Sequence, residues 1–397
     1  MNEHTKKVIA IYGSGFLIGL ALILYPAAGN LMTDAQYHGL SSGAFGVLFI
    51  PQVITAIVSS LLTPLLAKRI GMVRVWRWGL IFIALSMLLF AVSALGVGNP
   101  SLSFAILMVG TAALGACFGF TVSPLNPFAY ELFPGREASA VTGLHIFIGL
   151  GTACSPLLLQ LFQSIGMWWG SGLAIAAMAL GMMWFKSNLP LVLKASTLAT
   201  TDASPGTPVP VRIWLYVVLI FFTCSCEATF GNWSGIYLEK QAGLSLATAA
   251  LGLSLFWGGM TAGRVLFSLA ALRYSTAGIY LLTPFLVTGI MYVMPYLNGT
   301  VQHLLAVGLV GLFLSFYFPN TYSVVTTEFP AHATLISAAL VASIQVATGV
   351  SAQLIGQLSA HTPLSTIFQY SALYALLGGV LSLYLHWTRP ERPTLNR

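Results

Sequence analysis

The sequence predicts an all-α membrane protein whose twelve transmembrane helices form two pseudo-symmetric bundles of six. Three observations support this prediction: a shortage of charge, a regular series of long apolar segments, and a one-sided distribution of lysine and arginine. Of the 397 residues, 57% are hydrophobic and only 6% are charged. A soluble protein carries about 25% charged residues, so most of this surface is expected to face lipid.

Twelve segments are long and apolar enough to cross a bilayer, which takes about 20 mostly apolar residues. The first of them follows Lys6 and Lys7 and is longer than a signal-peptide core, so we expect it to be retained as a helix. The predicted spans are 8–32, 41–67, 75–97, 102–132, 138–163, 168–190, 212–238, 247–271, 276–297, 303–329, 334–359 and 365–387.

The basic residues predict the orientation, because cytoplasmic loops of membrane proteins are enriched in lysine and arginine. If the N-terminus is cytoplasmic, fifteen of the sixteen basic residues fall on that side and only Lys240 lies outside. The fifteen are Lys6, Lys7, Lys68, Arg69, Arg74, Arg77, Arg136, Lys186, Lys194, Arg212, Arg264, Arg273, Arg389, Arg392 and Arg397. We therefore expect a multi-pass inner-membrane protein with both termini in the cytoplasm.

A polar stretch divides the chain in the middle. Residues 191–211 are rich in Thr, Ser, Pro and Gly, which is the composition of a linker. The predicted organisation is a six-helix bundle over 1–190, a cytoplasmic linker over 191–211 and a second six-helix bundle over 212–397.

The two predicted bundles repeat each other at an offset of about 195 residues. Pro124 in the fourth span corresponds to Pro319 in the tenth, and Glu131 and Glu328 each lie close before a proline near the end of these spans. Transporters built from parallel repeats of this kind bind their substrate between the repeats, near the midplane of the bilayer.

The loop after the second span reads Pro64-Leu-Leu-Ala-Lys68-Arg69-Ile-Gly71. It resembles the signature loop of the major facilitator superfamily, Gly-x-x-x-Asp-Arg-x-Gly, although proline and lysine replace the first glycine and the aspartate. The corresponding segment of the second repeat contains Gly263 and Arg264. This resemblance covers the whole chain and implies secondary transport by alternating access.

Within that superfamily, the chain is most similar to the branch of fucose–proton symporters. The similarity lies in Asn126-Pro127-Phe128, in Phe147–Gly151, in Glu227 followed by Trp233, and in Phe256-Trp257-Gly258-Gly259. The fucose symporter has a carboxylate just before its Asn-Pro-Phe, where this chain reads Phe-Thr-Val-Ser. Its proton mechanism is therefore not transferred to this chain.

Ionisable groups inside a membrane span are costly, so each is a candidate for function. Glu227 lies roughly 22 Å along the seventh predicted span and is the first candidate for proton coupling; the alternative is a carboxyl group held permanently in a hydrogen bond. His145 is the second, because histidine titrates near neutral pH; the alternative is a packed histidine. Asp34, at the outer end of the first span, is either a proton acceptor at the entrance or a solvated group.

Amides, hydroxyls and aromatic rings within the spans are candidates for substrate binding. Asn126 and Asn320 lie beside prolines, which bend helices and free backbone carbonyls; hydrogen bonding between helices is their alternative role. The full set is Asn126, Asn320, Gln345, Thr348, Thr223, Phe230 and Trp233.

Charged residues near the predicted cytoplasmic helix ends are candidates for gating. Their repetition in the two bundles predicts ion pairs that hold the inner gate shut. The set is Arg69, Glu131, Arg136, Arg264 and Glu328.

The function predicted from these features is proton-coupled uptake of a small, polar, sugar-like solute. Efflux of amphipathic drugs is the alternative, because Gly149, Gly151 and Pro156 are similar to the glycine–proline motif of antiporters. Sodium could replace the proton, and a membrane sensor is a third class. We predict no enzymatic activity, cofactor, metal or nucleic-acid partner; the expected partners of a monomeric protein are its substrate, protons and the bilayer.

Overall fold

The computed structural model describes residues 2–186 and 208–389. All regular structure within these two ranges is helical, and eleven helices are long and apolar enough to cross a membrane. A further apolar helix, Gly170–Phe185, is shorter and ends beside residues that are not described. The predicted all-helical membrane fold is confirmed, whereas the linker over 191–211 lies outside the described residues except for 208–211.

We number the membrane helices in chain order, and their bounds agree with the predicted spans to within a few residues. The helices are α1 Glu3–Thr33, α2 Ser42–Ile70, α3 Met72–Val92, α4 Pro100–Leu132, α5 Glu137–Ser164, α6 Gly170–Lys186, α7 Val211–Lys240, α8 Leu246–Ala271, α9 Ala277–Val293, α10 Thr300–Glu328, α11 Ala333–Leu358 and α12 Leu364–Trp387. We call the end of the bundle at which α1 begins and α12 finishes the proximal end, and the opposite end the distal end.

The same helix pairings occur twice, six helices apart. α1 packs on α5 as α7 packs on α11, α2 packs on α4 as α8 packs on α10, and α3 packs on α6 as α9 packs on α12. The contacts between the two sets repeat as well, since α5 packs on α8 and α11 packs on α2. The internal repetition predicted from the sequence is thus present in the packing of the helices.

α10 is broken by its proline. Pro319 has no N–H group and cannot bond to the carbonyl of Ser315, four residues earlier. The chain forms a turn at Ser315 and Phe316, and the freed carbonyl of Ser315 accepts a hydrogen bond of 3.1 Å from Nε of Arg264. The break therefore provides a backbone acceptor that holds the Arg264 side chain between α8 and α10.

Glycine allows α2 and α11 to approach closely at the distal end. A Cβ atom placed on Gly46 would lie 2.4 Å from the carbonyl oxygen of Ala352, and one placed on Gly356 would lie 2.5 Å from that of Ser42. Only a residue without a side chain fits at these two positions, as is common where membrane helices pack backbone to backbone.

Two hydrogen bonds join α1 and α7 at the same distal end. Nδ2 of Asn30 donates to the carbonyl of Gly235 at 3.3 Å, and Nζ of Lys240 donates to Oγ1 of Thr33 at 2.9 Å. Together with the contact between α2 and α11, these bonds close the distal end of the molecule.

A buried histidine holds together the distal ends of the first set of helices. His38, in the loop between α1 and α2, is only 1% exposed. Its Nδ1 and Nε2 form hydrogen bonds with the hydroxyls of Ser103 (3.0 Å) and Ser93 (3.4 Å), and its ring meets that of Trp168 edge-on. Burial lowers the pKa of His38 from 6.5 to about 4.

Candidate functional site

Three helices bring polar side chains together where the two sets of helices meet. On α5 and on α8 the relevant residues recur at spacings of four and three, so they share one face of each helix. On α5 these are His145, Gly149 and Thr152; on α8 they are Trp257, Thr261 and Arg264. We define the central cluster as Glu227 of α7, His145 of α5, and Trp257, Thr261 and Arg264 of α8.

The contact between α5 and α8 passes through Gly149 and Thr261. A Cβ atom on Gly149 would lie 2.2 Å from Oγ1 of Thr261. This hydroxyl donates to the carbonyl of Trp257 at 3.0 Å, which fixes its direction. The glycine thus lets α5 approach α8 closely enough for His145 to lie within electrostatic range of Arg264.

The contact between α8 and α7 passes through Trp257. Its ring packs against Gly231, one helical turn after Glu227. Nε1 of Trp257 is buried and has no hydrogen-bond partner in the described part of the chain. Buried indole N–H groups normally have a partner, so this donor lacks a hydrogen bond that a protein of this kind normally supplies.

Arg264 is the electrostatic centre of the cluster. It interacts through its charge with Glu227 on α7 and with His145 on α5. All three side chains are partly exposed. Among the described residues, ion pairs within 4.0 Å join Lys7 to Glu3 and Arg212 to Glu328, whereas Glu227 and Arg264 are farther apart than this. Glu227 and Arg264 therefore interact over a longer distance than a direct ion pair.

The depth of Arg264 differs from the sequence expectation, which placed it at a cytoplasmic helix end. α8 continues to Ala271, so Arg264 lies seven residues, or about 10 Å, inside the helix. A charged side chain at such depth costs several kcal/mol unless it is compensated. Glu227 and the carbonyl of Ser315 supply that compensation, and this position favours a role in the central cluster over a role in a gate.

Two of the predicted substrate-binding residues on α7 point away from the cluster. Oγ1 of Thr223 donates to the carbonyl of Leu219 at 3.2 Å, and its methyl group packs beside Gly378 of α12. Phe230 is fully buried and stacks on Phe256, with 5.7 Å between the ring centroids. Both residues belong to the packed interior of the second set of helices.

Two other predicted residues lie at the distal end. Trp233 is fully buried and meets Phe45 of α2 edge-on, with 5.1 Å between the centroids. Asp34 follows α1, where its carboxylate accepts a hydrogen bond of 2.8 Å from the N–H of Gln36 and interacts electrostatically with Glu239. The structure does not bring either residue to the central cluster.

The amide and hydroxyl candidates on α4, α10 and α11 are dispersed. Nδ2 of Asn126 and Oγ1 of Thr348 each donate to a carbonyl one turn earlier in their own helix, at 3.0 Å. Gln345 is partly exposed on α11. Asn320 lines a separate cavity of ≈ 340 Å³ at the proximal end.

Glu328 forms an ion pair with Arg212, which was not among the predicted site residues. Nε of Arg212 lies 2.5 Å from Oε1 of Glu328, and the hydroxyl of Tyr216 donates to Oε2 at 2.8 Å. Arg212 also donates to the carbonyl of Leu385. These bonds tie α7, α10 and α12 together at the proximal end.

The remaining gating candidates lie at helix ends, as expected. Arg69 is exposed at the end of α2, Arg136 is exposed just before α5, and Glu131 is partly exposed near the end of α4. Their role in a gate remains a prediction.

Trp257 and Thr261 belong to the central cluster but were not among the predicted site residues. Their spacing from Arg264 on one face of α8 was the available signal, but nothing in the sequence shows which neighbouring helix that face meets.

This helical fold, with polar groups gathered between two repeated sets of membrane helices, defines a membrane transporter and not an enzyme. A sequence model of the Major Facilitator Superfamily matches residues 8–339. The chain belongs to this superfamily.

Among curated proteins, the chain is similar to one from Helicobacter pylori (strain J99 / ATCC 700824) named "Putative glucose/galactose transporter", with 28% identity over 222 residues. The match covers 51% of this chain and 53% of that protein, so the chain spans about half the length of the curated relative it matches.

Solved transporters share the fold along nearly the whole chain. The D-xylose-proton symporter has a TM-score of 0.76 at 14% identity, covering 98% of each chain. The E. coli fucose:proton symporter has a TM-score of 0.63 at 15% identity, covering 98% of this chain and 100% of its own. At these identities the similarity establishes the fold alone.

Proposed function

We propose that the protein is a proton-coupled symporter that imports a sugar-like solute across the inner membrane. Its halves, 1–190 and 212–397, alternate in access around the central cluster, and both termini are cytoplasmic. The observation that carries the proposal is Glu227, a partly exposed acid inside the membrane, beside α8, which carries Arg264 and packs through Thr261 on Gly149 of the opposite half. The curated relative is named for glucose and galactose, and the symporters that share the fold are named for xylose and fucose. These names support the same class of function.

Glu227 and Arg264 provide a means of coupling. While Glu227 is ionised, it attracts the guanidinium of Arg264. A proton that binds to Glu227 removes this attraction, and the hydroxyls of a substrate then compensate the charge of Arg264. Proton binding and substrate binding then favour each other, and the linkage is reciprocal.

The same groups favour a polar substrate over an amphipathic drug. The indole N–H of Trp257 and the guanidinium of Arg264 are donors, and Glu227 in its neutral form both donates and accepts. A ligand without hydroxyl groups would leave these partly buried groups without hydrogen bonds, which a site of this kind penalises strongly. Efflux of amphipathic compounds is less favoured on this ground.

The closed distal end supports an assignment of the structure to the state that opens toward the cytoplasm. In that state Gly46 seals α2 against α11 at the distal end, while the central cluster remains partly exposed. Opening of this seal would expose the cluster to the other side of the membrane.

Purified protein in liposomes tests the proposal. Addition of glucose, galactose, xylose or fucose without an imposed gradient should produce a sugar-dependent alkalinisation of the outer medium, recorded with a pH dye. A proton conductor should abolish the signal. Sodium-dependent sugar uptake without alkalinisation would contradict proton coupling, and proton-driven movement of cationic drugs with no response to any sugar would favour the alternative of efflux.

A further inference from the structure

A polar cavity lies at the proximal end, between α7, α9, α10 and α12, and it is separate from the central cluster. Its volume is ≈ 340 Å³, within the range of about 300–1,000 Å³ that is typical of small-molecule sites. The lining includes the side chains of Tyr216, Tyr280, Asn320, Ser382, His386 and Arg389. Nothing in the proposed transport cycle uses this cavity.

The charge of the lining favours an anion. Arg389 and His386 line the cavity and are exposed, and no acidic residue is among the described residues that line it. The carboxylate of Glu328, which accepts from the lining residue Tyr216, is already paired with Arg212. A bound anion would therefore meet basic groups without an opposing free carboxylate among them.

The beginning of α9 adds backbone donors to the same cavity. Ser275, Thr276 and Ala277 line it, and α9 starts at Ala277. Thr276 provides no side-chain cap, and the first turn contains no acidic residue. The first N–H groups of a helix lack partners within the helix and favour negative charge, phosphate in particular.

Exposed aromatic residues indicate the level of the cavity in the membrane. Tyr274, at its rim, is 71% exposed, and Trp387, at the end of α12, is 76% exposed. Tyrosine and tryptophan concentrate where the bilayer meets water. The cavity therefore opens at the height of the lipid headgroups.

We propose that this cavity binds a phosphate group, carried either by the headgroup of an anionic phospholipid or by a soluble phosphate compound. Arg389 and the start of α9 hold the phosphate oxygens through charge-assisted hydrogen bonds, and His386 lines the same cavity. Basic cavities between membrane helices at this level bind anionic headgroups in other proteins.

The test is a titration of the purified full-length protein, in a neutral detergent, with short-chain phosphatidylglycerol while the melting temperature is recorded. Ligands that bind the folded state raise this temperature. Phosphatidylcholine is the control lipid, and glycerol phosphate and inorganic phosphate are tested in parallel. Arg389→Gln should require about tenfold more phosphatidylglycerol for the same stabilisation, because it removes a charge-assisted contact.

Two further variants separate a built site from general attraction of charge. Arg273→Gln removes an exposed charge from the same membrane edge but outside the cavity, and it should leave the titration unchanged. Thr276→Asp should preserve the fold, because aspartate caps helices well, yet it should abolish the stabilisation by placing a carboxylate at the phosphate position.

The outcomes are distinct. Saturable stabilisation by phosphatidylglycerol that Arg389→Gln weakens and Arg273→Gln does not supports the site and assigns a lipid. The same pattern with glycerol phosphate or inorganic phosphate alone supports the site and assigns a soluble ligand. Two results would overturn the proposal. One is an equal effect of the two arginine variants on the titration. The other is equal stabilisation by phosphatidylglycerol and phosphatidylcholine together with no stabilisation by the soluble phosphates.

Discussion

Gly46→Ala should shift the protein away from the state with a closed distal end. The new Cβ would lie 2.4 Å from the carbonyl oxygen of Ala352, and a backbone atom cannot move aside as a flexible side chain can. Overpacking of this kind costs about 1–3 kcal/mol. If the open state escapes the clash, the ratio of open to closed molecules rises by a factor of about 5 to 150, since about 1.4 kcal/mol corresponds to tenfold.

The shift can be measured by labelling a cysteine introduced at Ile236, which is 3% exposed and lies beside Gly29 at the distal junction. A membrane-impermeant maleimide should modify it at least about fivefold faster in Gly46→Ala, the lower bound of the overpacking cost. Gly43→Ala is the matched control, because its Cβ would have no atom nearer than 3.8 Å. Equal labelling rates in the two glycine variants would refute this reasoning.

Three further predictions concern stability and topology. The melting temperature should fall as the pH decreases from about 6.5 toward 4, because unfolded histidine takes up a proton near pH 6.5 whereas folded His38 stays neutral down to about 4. The change of melting temperature with pH should be smaller in His38→Asn. An identical change in the variant would contradict the role of His38. Glu328→Gln should destabilise the protein by about 1–3 kcal/mol by leaving Arg212 without its partner, seen as a lower melting temperature, whereas Arg69→Gln at an exposed helix end should change it little; equal shifts would contradict the role of the pair. Reporter fusions after residue 200 should give a cytoplasmic signal and fusions near Gly299 an external one, and a cytoplasmic signal at Gly299 would contradict the topology.

Much of the fold could be predicted because membrane spans are encoded in local composition. The seventh predicted span, 212–238, differs by only one or two residues at each end from α7, Val211–Lys240. Pro319 was noted beside Asn320, but the partner of the carbonyl that it frees at Ser315 is Arg264, which comes from another helix. The internal repeat predicted the wrong position for Arg264 along its helix. Arg69 lies one residue before the end of α2, whereas its counterpart Arg264 lies well inside α8.

The site was harder to predict than the fold, because helical spacing shows which residues share a face but not which neighbour that face meets. Thr223 and Phe230 lie within about 60° of Glu227 around α7, at roughly 100° per residue, yet they face α12 and Phe256. Arg212 binds Glu328 across 116 positions of sequence, and no local pattern signals such a pair.

The exchange of Glu227 for glutamine tests the central claim, that this acid couples transport to the proton. Glu227→Gln keeps the shape and hydrogen-bonding capacity of the side chain but cannot take up or release a proton. In proteoliposomes with an imposed proton gradient, this variant should fail to accumulate labelled sugar, while exchange of labelled for unlabelled sugar should persist because exchange needs no net proton movement. Glu239→Gln, on the same helix near its distal end, should accumulate sugar as the wild type does. Accumulation by Glu227→Gln at the wild-type level would contradict the claim.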